Sequence, residues 1–484
     1  MPSHKSTLCG LLLSCLLTAN LCASERPNII WIEADDLMPR FMNKLGGGFG
    51  HTPNLDRLAS EGVHFPNAVC QAPMCGPSRN GLLTNLYSHN LGFYRNGHLS
   101  KLPSGVWTFP PTLEAAGYQT AYIGKSHIKA SADNPKASKD DALRGYGFDY
   151  VNCTGERYAL WKSLSKGQDI SDSPFVQHLK ARGKYEQFLN DADGYGKLST
   201  MADDIDYLDG FTTQVAIDWL SEARDTEKPF FLWFNFCLPH GPYDVPQRWY
   251  DLVADCDISP PKTDSFGHEV PAPLLKDNKP VKNDERTAKD RLGEAANVAF
   301  MDAQIGRLLK TLESSGQIDN TVIVFFSDHS IFLGNHGRLH KGTLFEESIA
   351  TSMIVCFPKR FPQDQINSTP MELMDLVPTT FELAGIENPN SVAKNGLSIV
   401  PLLEGEDADK RVYAFSEILG AQSATSERYR YITSEGVEML YDHETDPWEM
   451  TNVAQQFPEI TERMRKAVEQ WMQTTGPVHP PKTF

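Results

Sequence analysis

Apolar positions along the chain fall into two alternating rhythms. Near-continuous runs of β-branched and aromatic residues occur at NIIWIEA (28–34), QTAYIG (119–124), FFLWFNF (230–236), TVIVFFS (321–327) and SMIVCF (352–357). Runs of this length and composition are those of strands buried on both faces. Between them, apolar residues recur every three or four positions over 54–61, 210–223 and 293–314, where Ala296, Val298, Met301, Ile305, Leu308 and Leu309 recur near a period of 3.6. The alternation predicts an α/β fold with a large, mostly parallel sheet flanked by helices. Near residue 385 the rhythm changes: RVYAFSEI, RYRYITSE and VEMLYD, followed by a helical stretch at 457–474, predict a smaller C-terminal subdomain of antiparallel sheet plus helix. The expected division is a catalytic α/β domain over 25–385 and a subdomain over 386–484, with 130–145 and 258–290, rich in Pro, Lys and Asp, as surface insertions.

The first 24 residues read as a secretory signal, with Lys5 before the apolar run LCGLLLSCLL and small residues at CAS. That run is too short for a membrane span, and no later stretch approaches the roughly 18 apolar residues one needs. An exported protein, periplasmic or secreted, is the expectation. Three of the nine cysteines would leave with the signal, and the six that remain are too irregularly spaced for a disulfide framework. A formal net charge of −17 argues against a nucleic-acid partner, and an anionic substrate would need a local cluster of positive charge.

In open α/β sheets, ligands collect beyond the carboxyl ends of the strands. Four of the five strand candidates run into ionisable residues there: Asp35 and Asp36, Lys125 and His127, His240, and Asp328 and His329. Carboxylates in this number suit a hard divalent cation, Ca²⁺ or Mg²⁺. Arg79, Lys125 and Lys341 could neutralise a substrate with several anionic oxygens, such as a phosphate or sulfate ester. The stretch APMCGPSRNGLLTN (72–85) fits the same place. Ser78 reads as the N-cap of a helix beginning at Arg79, which sets Cys75 near the helix's positive end. Residue types alone leave Cys75 open as a reactive thiol, half of a disulfide, or a precursor of another group.

CGPSRNGLLTN resembles the signature C-x-P-S-R-x-x-x-L-T-G of the formylglycine-dependent sulfatases, a family of the alkaline phosphatase superfamily whose signature cysteine is oxidised to formylglycine. The resemblance extends over nearly the whole chain through RPNIIWIEADD, TPNLDRLASEGVHF, GKSHI, LPHGPY, SDHSIFLGNHGRLHK, DLVPTTFELAGI and LYDHETDPWEMTNVA, in that order. It implies an alkaline phosphatase-like fold and a calcium ion held by Asp35, Asp36, Asp328 and His329, with Cys75, as formylglycine, also reaching it. It further implies that Arg79 and Lys125 steady the hydrated aldehyde and the sulfate, that His127 acts as base on the second hydroxyl, and that His240 and Lys341 bind sulfate and assist the leaving group. One hydroxyl of the aldehyde hydrate would attack sulfur, and deprotonating the other would expel sulfate. The implied partners are a formylglycine-generating or sulfatase-maturing enzyme and a sulfated glycan substrate. Tyr94 and Arg95 in SHNLGFYRNGH, with His336 in LGNHG, are the expected substrate-binding residues. The chain departs from the family's usual residues at Asn85 (for Gly), Ser126 (for Trp), His329 (for Asn) and Asn335 (for Glu). The readings competing with a carbohydrate sulfatase are a phosphodiesterase or phosphonate hydrolase on the same scaffold, and a glycan-binding relative without catalysis.

Overall fold

The computed structural model describes residues 26–97, 101–193, 196–264, 266–276, 280, 285–387, 395–406 and 411–476. The expected signal segment lies outside them. An eight-stranded sheet forms the centre, built from β1 (Asn28–Asp35), β2 (Val63–Phe65), β3 (Gln119–Gly124), β4 (Tyr150–Asn152), β5 (Phe230–Pro239), β6 (Thr321–Ser327), β7 (Met353–Cys356) and β8 (Gln365–Ile366). Their spatial order is β4-β3-β5-β1-β6-β7-β2-β8. β1 lies parallel to both β5 and β6, and β3 lies parallel to β4 and β5. β7 runs antiparallel to β6 and β2. The sheet is therefore parallel through its middle and reverses only towards one edge.

Alternate residues of β1 feed two separate cores. Ile29 and Trp31 join the cluster on one face with Phe109, Phe231 and Trp233, while Ile30 and Ile32 join Leu232, Phe234, Met301 and Ile305 on the other. Trp31 meets Trp233 edge-on at 5.5 Å, and helices cover both faces, which is why the strands lack polar alternation. The helices used below are α1 (Pro53–Ser60), α2 (Cys75–Thr84), α3 (Leu208–Asp218), α4 (Glu285–Ser314) and α5 (Pro458–Thr474).

Two helix starts differ from the sequence reading. α4 begins at Glu285, eight residues before the periodic stretch, inside what reads as a surface insertion. Residues 285–292 (ERTAKDRL) are good helix formers that carry no apolar stripe, so periodicity is silent there. α2 begins at Cys75, with Met74 in extended backbone as its N-cap. Ser78 lies within the first turn instead of capping it, and its hydroxyl donates to the carbonyl of Asp328 (2.8 Å), tying helix to strand end. At the other end of α2, Asn85 takes left-handed backbone (φ 53°), a conformation that glycine adopts most easily. The side chain compensates: Asn85 Nδ2 donates to Met374 O and its Oδ1 accepts from Asn395 N.

The C-terminal part is a four-stranded antiparallel meander, β9 (Ala414–Ile418), β10 (Ala421–Thr425), β11 (Tyr429–Ser434) and β12 (Val437–Asp442), with α5 against it. Trp471 of α5 stacks on Phe415 at 4.9 Å. Contacts to Glu346 tie this sheet to the α/β body: buried Arg430 pairs with its carboxylate (2.6 Å), and Glu449, itself paired with Arg430 (2.9 Å), accepts from Glu346 N (2.8 Å). All six cysteines of the described residues are free. No helix of the described residues is long and apolar enough to cross a membrane.

Candidate active site

Because β3, β5, β1 and β6 are parallel neighbours, their carboxyl ends meet at one edge of the sheet. Backbone hydrogen bonds carry the strand register into the site: Lys125 N donates to Asn235 O (3.1 Å), His240 N to Asp35 O (2.9 Å) and Asp328 N to Ala34 O (3.1 Å). Gly124 makes the first approach possible. Its φ is +109°, and a Cβ there would lie 1.9 Å from the carbonyl oxygen of Asn235. Asp36 also has positive φ (68°), which turns the chain sharply after β1.

Arg79 lies fully buried beneath this edge. Its Nε donates to Asp328 Oδ2 (3.0 Å), its Nη1 donates to Asn235 Oδ1 (2.8 Å) and lies 3.1 Å from Glu33 Oε2, and its Nη2 lies 3.7 Å from Asp35 Oδ1. Burial and the negative charge of Asp328 hold the Glu33 carboxyl up at about 8 against the pull of Arg79, and Trp233 Nε1 donates to it (2.6 Å). Asp35 goes the other way. Burial opposes its ionisation, but Lys125, His240, Arg79 and Lys341 together hold it well below the usual carboxylate range. Lys125 Nζ is paired directly with Asp35 Oδ2, and Lys341 Nζ with both oxygens of Asp36.

Cys75 occupies the middle of these groups. Its Sγ lies 3.2 Å from His329 Nε2 and 3.7 Å from Lys341 Nζ. Burial pushes the thiol well above its ordinary pKa, with Lys341 pulling down. His329 Nδ1 is 3.1 Å from Ser330 O, so Nδ1 carries the proton and Nε2 presents its lone pair to the cluster. Asp35, Cys75, Asp328 and His329 offer buried ligand atoms all within 4.8 Å of one another. Asp35 Oδ1 is buried and makes no hydrogen bond, an orphaned acceptor of the kind a cation would satisfy. The donor set fits a hard divalent ion through its carboxylates. Asp36 stands outside that four-residue set: its carboxylate is held by Lys341 and faces His329 Nδ1 (3.3 Å) and His240 Nε2 (3.7 Å).

Above the cluster opens a cavity of about 570 Å³ lined by Asp36, Cys75, His127, His240 and Lys341 among the sequence-derived residues. Arg79, Lys125, Asp328 and His329 lie buried behind this wall. The three expected substrate-binding residues do not line it. Tyr94 is buried, as is its neighbour Phe93 against the start of α2, and Arg95 is half-buried away from the lining. His336 is a core histidine, stacked flat on Phe266 with ring centres 4.2 Å apart and its Nε2 3.5 Å from Glu347. The other polar side chains that line it are Asn96, Glu156, Tyr158, Tyr243, Arg286, Asp290 and His340. Asn96 was within reach of sequence reasoning, because it belongs to SHNLGFYRNGH. Its Oδ1 accepts from Gly76 N (2.8 Å), where a Cβ would lie 2.6 Å from that oxygen. Arg286 and Asp290, one helical turn apart on the aperiodic start of α4, gave no such signal.

Comparison with known proteins bears on what this arrangement does. Residues 27–386 match the sulfatase family model, and residues 334–474 match the model described as N-sulphoglucosamine sulphohydrolase, C-terminal. An N-acetylglucosamine-6-O-sulfatase of Bacteroides thetaiotaomicron is 28% identical, over 93% of this chain and 85% of the relative. A ulvan-active sulfatase of Formosa agariphila is also 28% identical, over 88% of this chain and 77% of the relative. Among solved structures, an enzyme in complex with its substrate D-glucosamine-2-N,6-O-disulfate superposes with a TM-score of 0.73 at 23% identity, covering 95% of this chain and 100% of that one. A phosphonate monoester hydrolase of Agrobacterium radiobacter superposes with a TM-score of 0.75 at 22% identity, covering 93% and 96%. The fold is that of the alkaline phosphatase superfamily. Within it the chain belongs to the sulfatase family, and it is a sulfuric ester hydrolase.

Proposed function

We propose that this sulfatase removes sulfate from a sulfated carbohydrate, using residue 75 after its conversion to formylglycine by a maturing enzyme, with a bound Ca²⁺, in an exported protein. The observation that carries the reading is the placement of Cys75. It is the first residue of α2, and it lines the cavity among the ligand set of Asp35, Asp328 and His329 and the cations Lys341 and Lys125. The names of the relatives support a carbohydrate.

As formylglycine, residue 75 would supply a hydrated aldehyde, whose two hydroxyls serve for attack and for release. A Ca²⁺ ion held by Asp35, Asp328 and His329, with Asp36 within reach, would supply positive charge for the sulfate oxygens. The chain's own residues do the rest. Lys341 and His240, both on the cavity wall, bind the sulfate oxygens and the leaving oxygen. His127 removes a proton at residue 75. Arg79 and Lys125 hold Asp328 and Asp35 in place from behind, so the carboxylates face the cation ready-aligned.

Lys341→Ala is expected to lower kcat/KM by about two to three orders of magnitude, the usual effect of removing one positioned charge contact. A loss below about threefold would remove Lys341 from the anion contacts and leave His240 as the cavity-wall contact. The reading as a whole is tested by sulfate release from a panel of sulfated glycans, run beside matched phosphate and sulfate model esters. Release from at least one glycan, with sulfate esters preferred, is the expected result. A second reading, a phosphonate or phosphate ester hydrolase, is favoured by the likeness to the phosphonate monoester hydrolase fold, and exclusive turnover of phosphorus esters would select it.

A further inference from the structure

The proposed base, His127, has one ring nitrogen held and one bare. Its Nε2 lies 3.0 Å from Glu156 Oε1, and its Nδ1 is buried with no hydrogen-bond partner among the described residues. A carboxylate only accepts hydrogen bonds, so the contact requires the proton to sit on Nε2. A neutral ring then has its lone pair on Nδ1. An acceptor left bare in a buried position costs free energy unless something else donates to it, and His127 belongs to the wall of the catalytic cavity.

The rest of the neighbourhood keeps this pair in register. Asn80 on α2 donates to the carbonyl of His127 (3.0 Å), anchoring the backbone beneath the ring. Glu156 immediately precedes the helix Arg157–Ser165, and Cys237 Sγ donates to the carbonyl of Gly155 before it (3.2 Å). Lys139 Nζ lies 3.5 Å from the same Oε1. Burial works against the Glu156 carboxylate, but Lys125, the hydrogen bond from His127 and Lys139 outweigh it and keep it ionised. An anion in a cavity that takes anionic substrates would weaken binding, so this one needs a role other than binding sulfate.

We infer that Glu156 is the positioning residue of the site: by accepting the Nε2–H of His127 it fixes the ring in one tautomer, with Nδ1 as the atom that takes the proton from residue 75. The inference rests on the proposed role of His127 as base. It assigns the proton-accepting atom and names the residue that sets it, a carboxylate from the loop after β4 about 30 positions further along the chain.

The test has two arms. In the Cys75→Ala protein labelled with ¹⁵N-histidine, His127 is assigned by the resonances lost in His127→Asn, and its two ring nitrogens are read directly. The expected result is a protonated Nε2 and a bare Nδ1, with Glu156→Ala admitting the other tautomer. An Nδ1–H ring with Glu156 intact overturns the inference. In the mature enzyme, Glu156→Ala is expected to lower kcat by about 10- to 100-fold with KM within threefold, and Glu156→Gln, whose amide oxygen can accept the same hydrogen, to fall between Ala and the parent. A Glu156→Ala kcat within twofold of the parent, or a Gln variant slower than Ala, also overturns it. Failure of the formylglycine reading would show separately, as an absence of aldehyde at residue 75, and would leave the nitrogen measurement untouched.

Discussion

Cys75→Ser is expected to take up sulfate once and then stop. A serine hydroxyl in the first turn of α2 occupies the position of the present Sγ, 3.7 Å from Lys341 Nζ and 3.2 Å from His329 Nε2, so it retains one attacking oxygen. It lacks the second hydroxyl whose deprotonation would release sulfate, so the ester it forms should persist. Intact mass and peptide mapping after incubation with a reactive sulfate ester should place one added sulfate on residue 75 in Cys75→Ser and none in Cys75→Ala. Steady-state turnover should be lost in both. Some maturation systems oxidise serine as well as cysteine, so the Ser variant must first be shown free of aldehyde. With that established, sustained multiple turnover by Cys75→Ser would refute release through a second hydroxyl.

Asp328→Ala is expected to lower kcat by about a thousandfold or more, since a metal ion at a transferring group contributes several kcal/mol. Asp328 is fully buried, its Oδ2 accepts from Arg79 Nε (3.0 Å) and its Oδ1 from Asp36 N (3.2 Å). Removing the carboxylate takes a ligand from the cluster and leaves Arg79 with one counter-charge fewer. Asp328→Asn keeps the shape and one acceptor oxygen, and should be folded by circular dichroism yet bind Ca²⁺ far more weakly in calorimetry. Exhaustive chelation of the parent should abolish activity, and Ca²⁺ should restore it. Full activity with metal confirmed absent would exclude a metal role for Asp35, Asp328 and His329 together.

Local chemistry in the chain determined the strands and the residues at their ends. Runs such as TVIVFFS and FFLWFNF have the length and β-branched, aromatic composition of strands buried on both faces, and parallel neighbours deliver Asp35, Lys125, His240 and Asp328 to one edge. That part of the site was legible because strand polarity and the residue after each strand are both properties of a short stretch. The family was legible for the same reason, from the contiguous CGPSRNGLLTN. What the tertiary structure decided is everything that depends on which loops meet. Ser78 reads locally as a cap, yet it serves as a donor to Asp328, 250 positions away. His336 and Tyr94 are residue types that suit a sugar subsite, but the first stacks on Phe266 and the second is buried. The cavity wall is completed by Glu156 from the loop after β4 and by Arg286 and Asp290 from the polar start of α4. None of these lies in a periodic segment, because a side chain facing a water-filled cavity is under no pressure to be apolar, and the pairing of Glu156 with His127 exists only once β3 and β4 lie side by side.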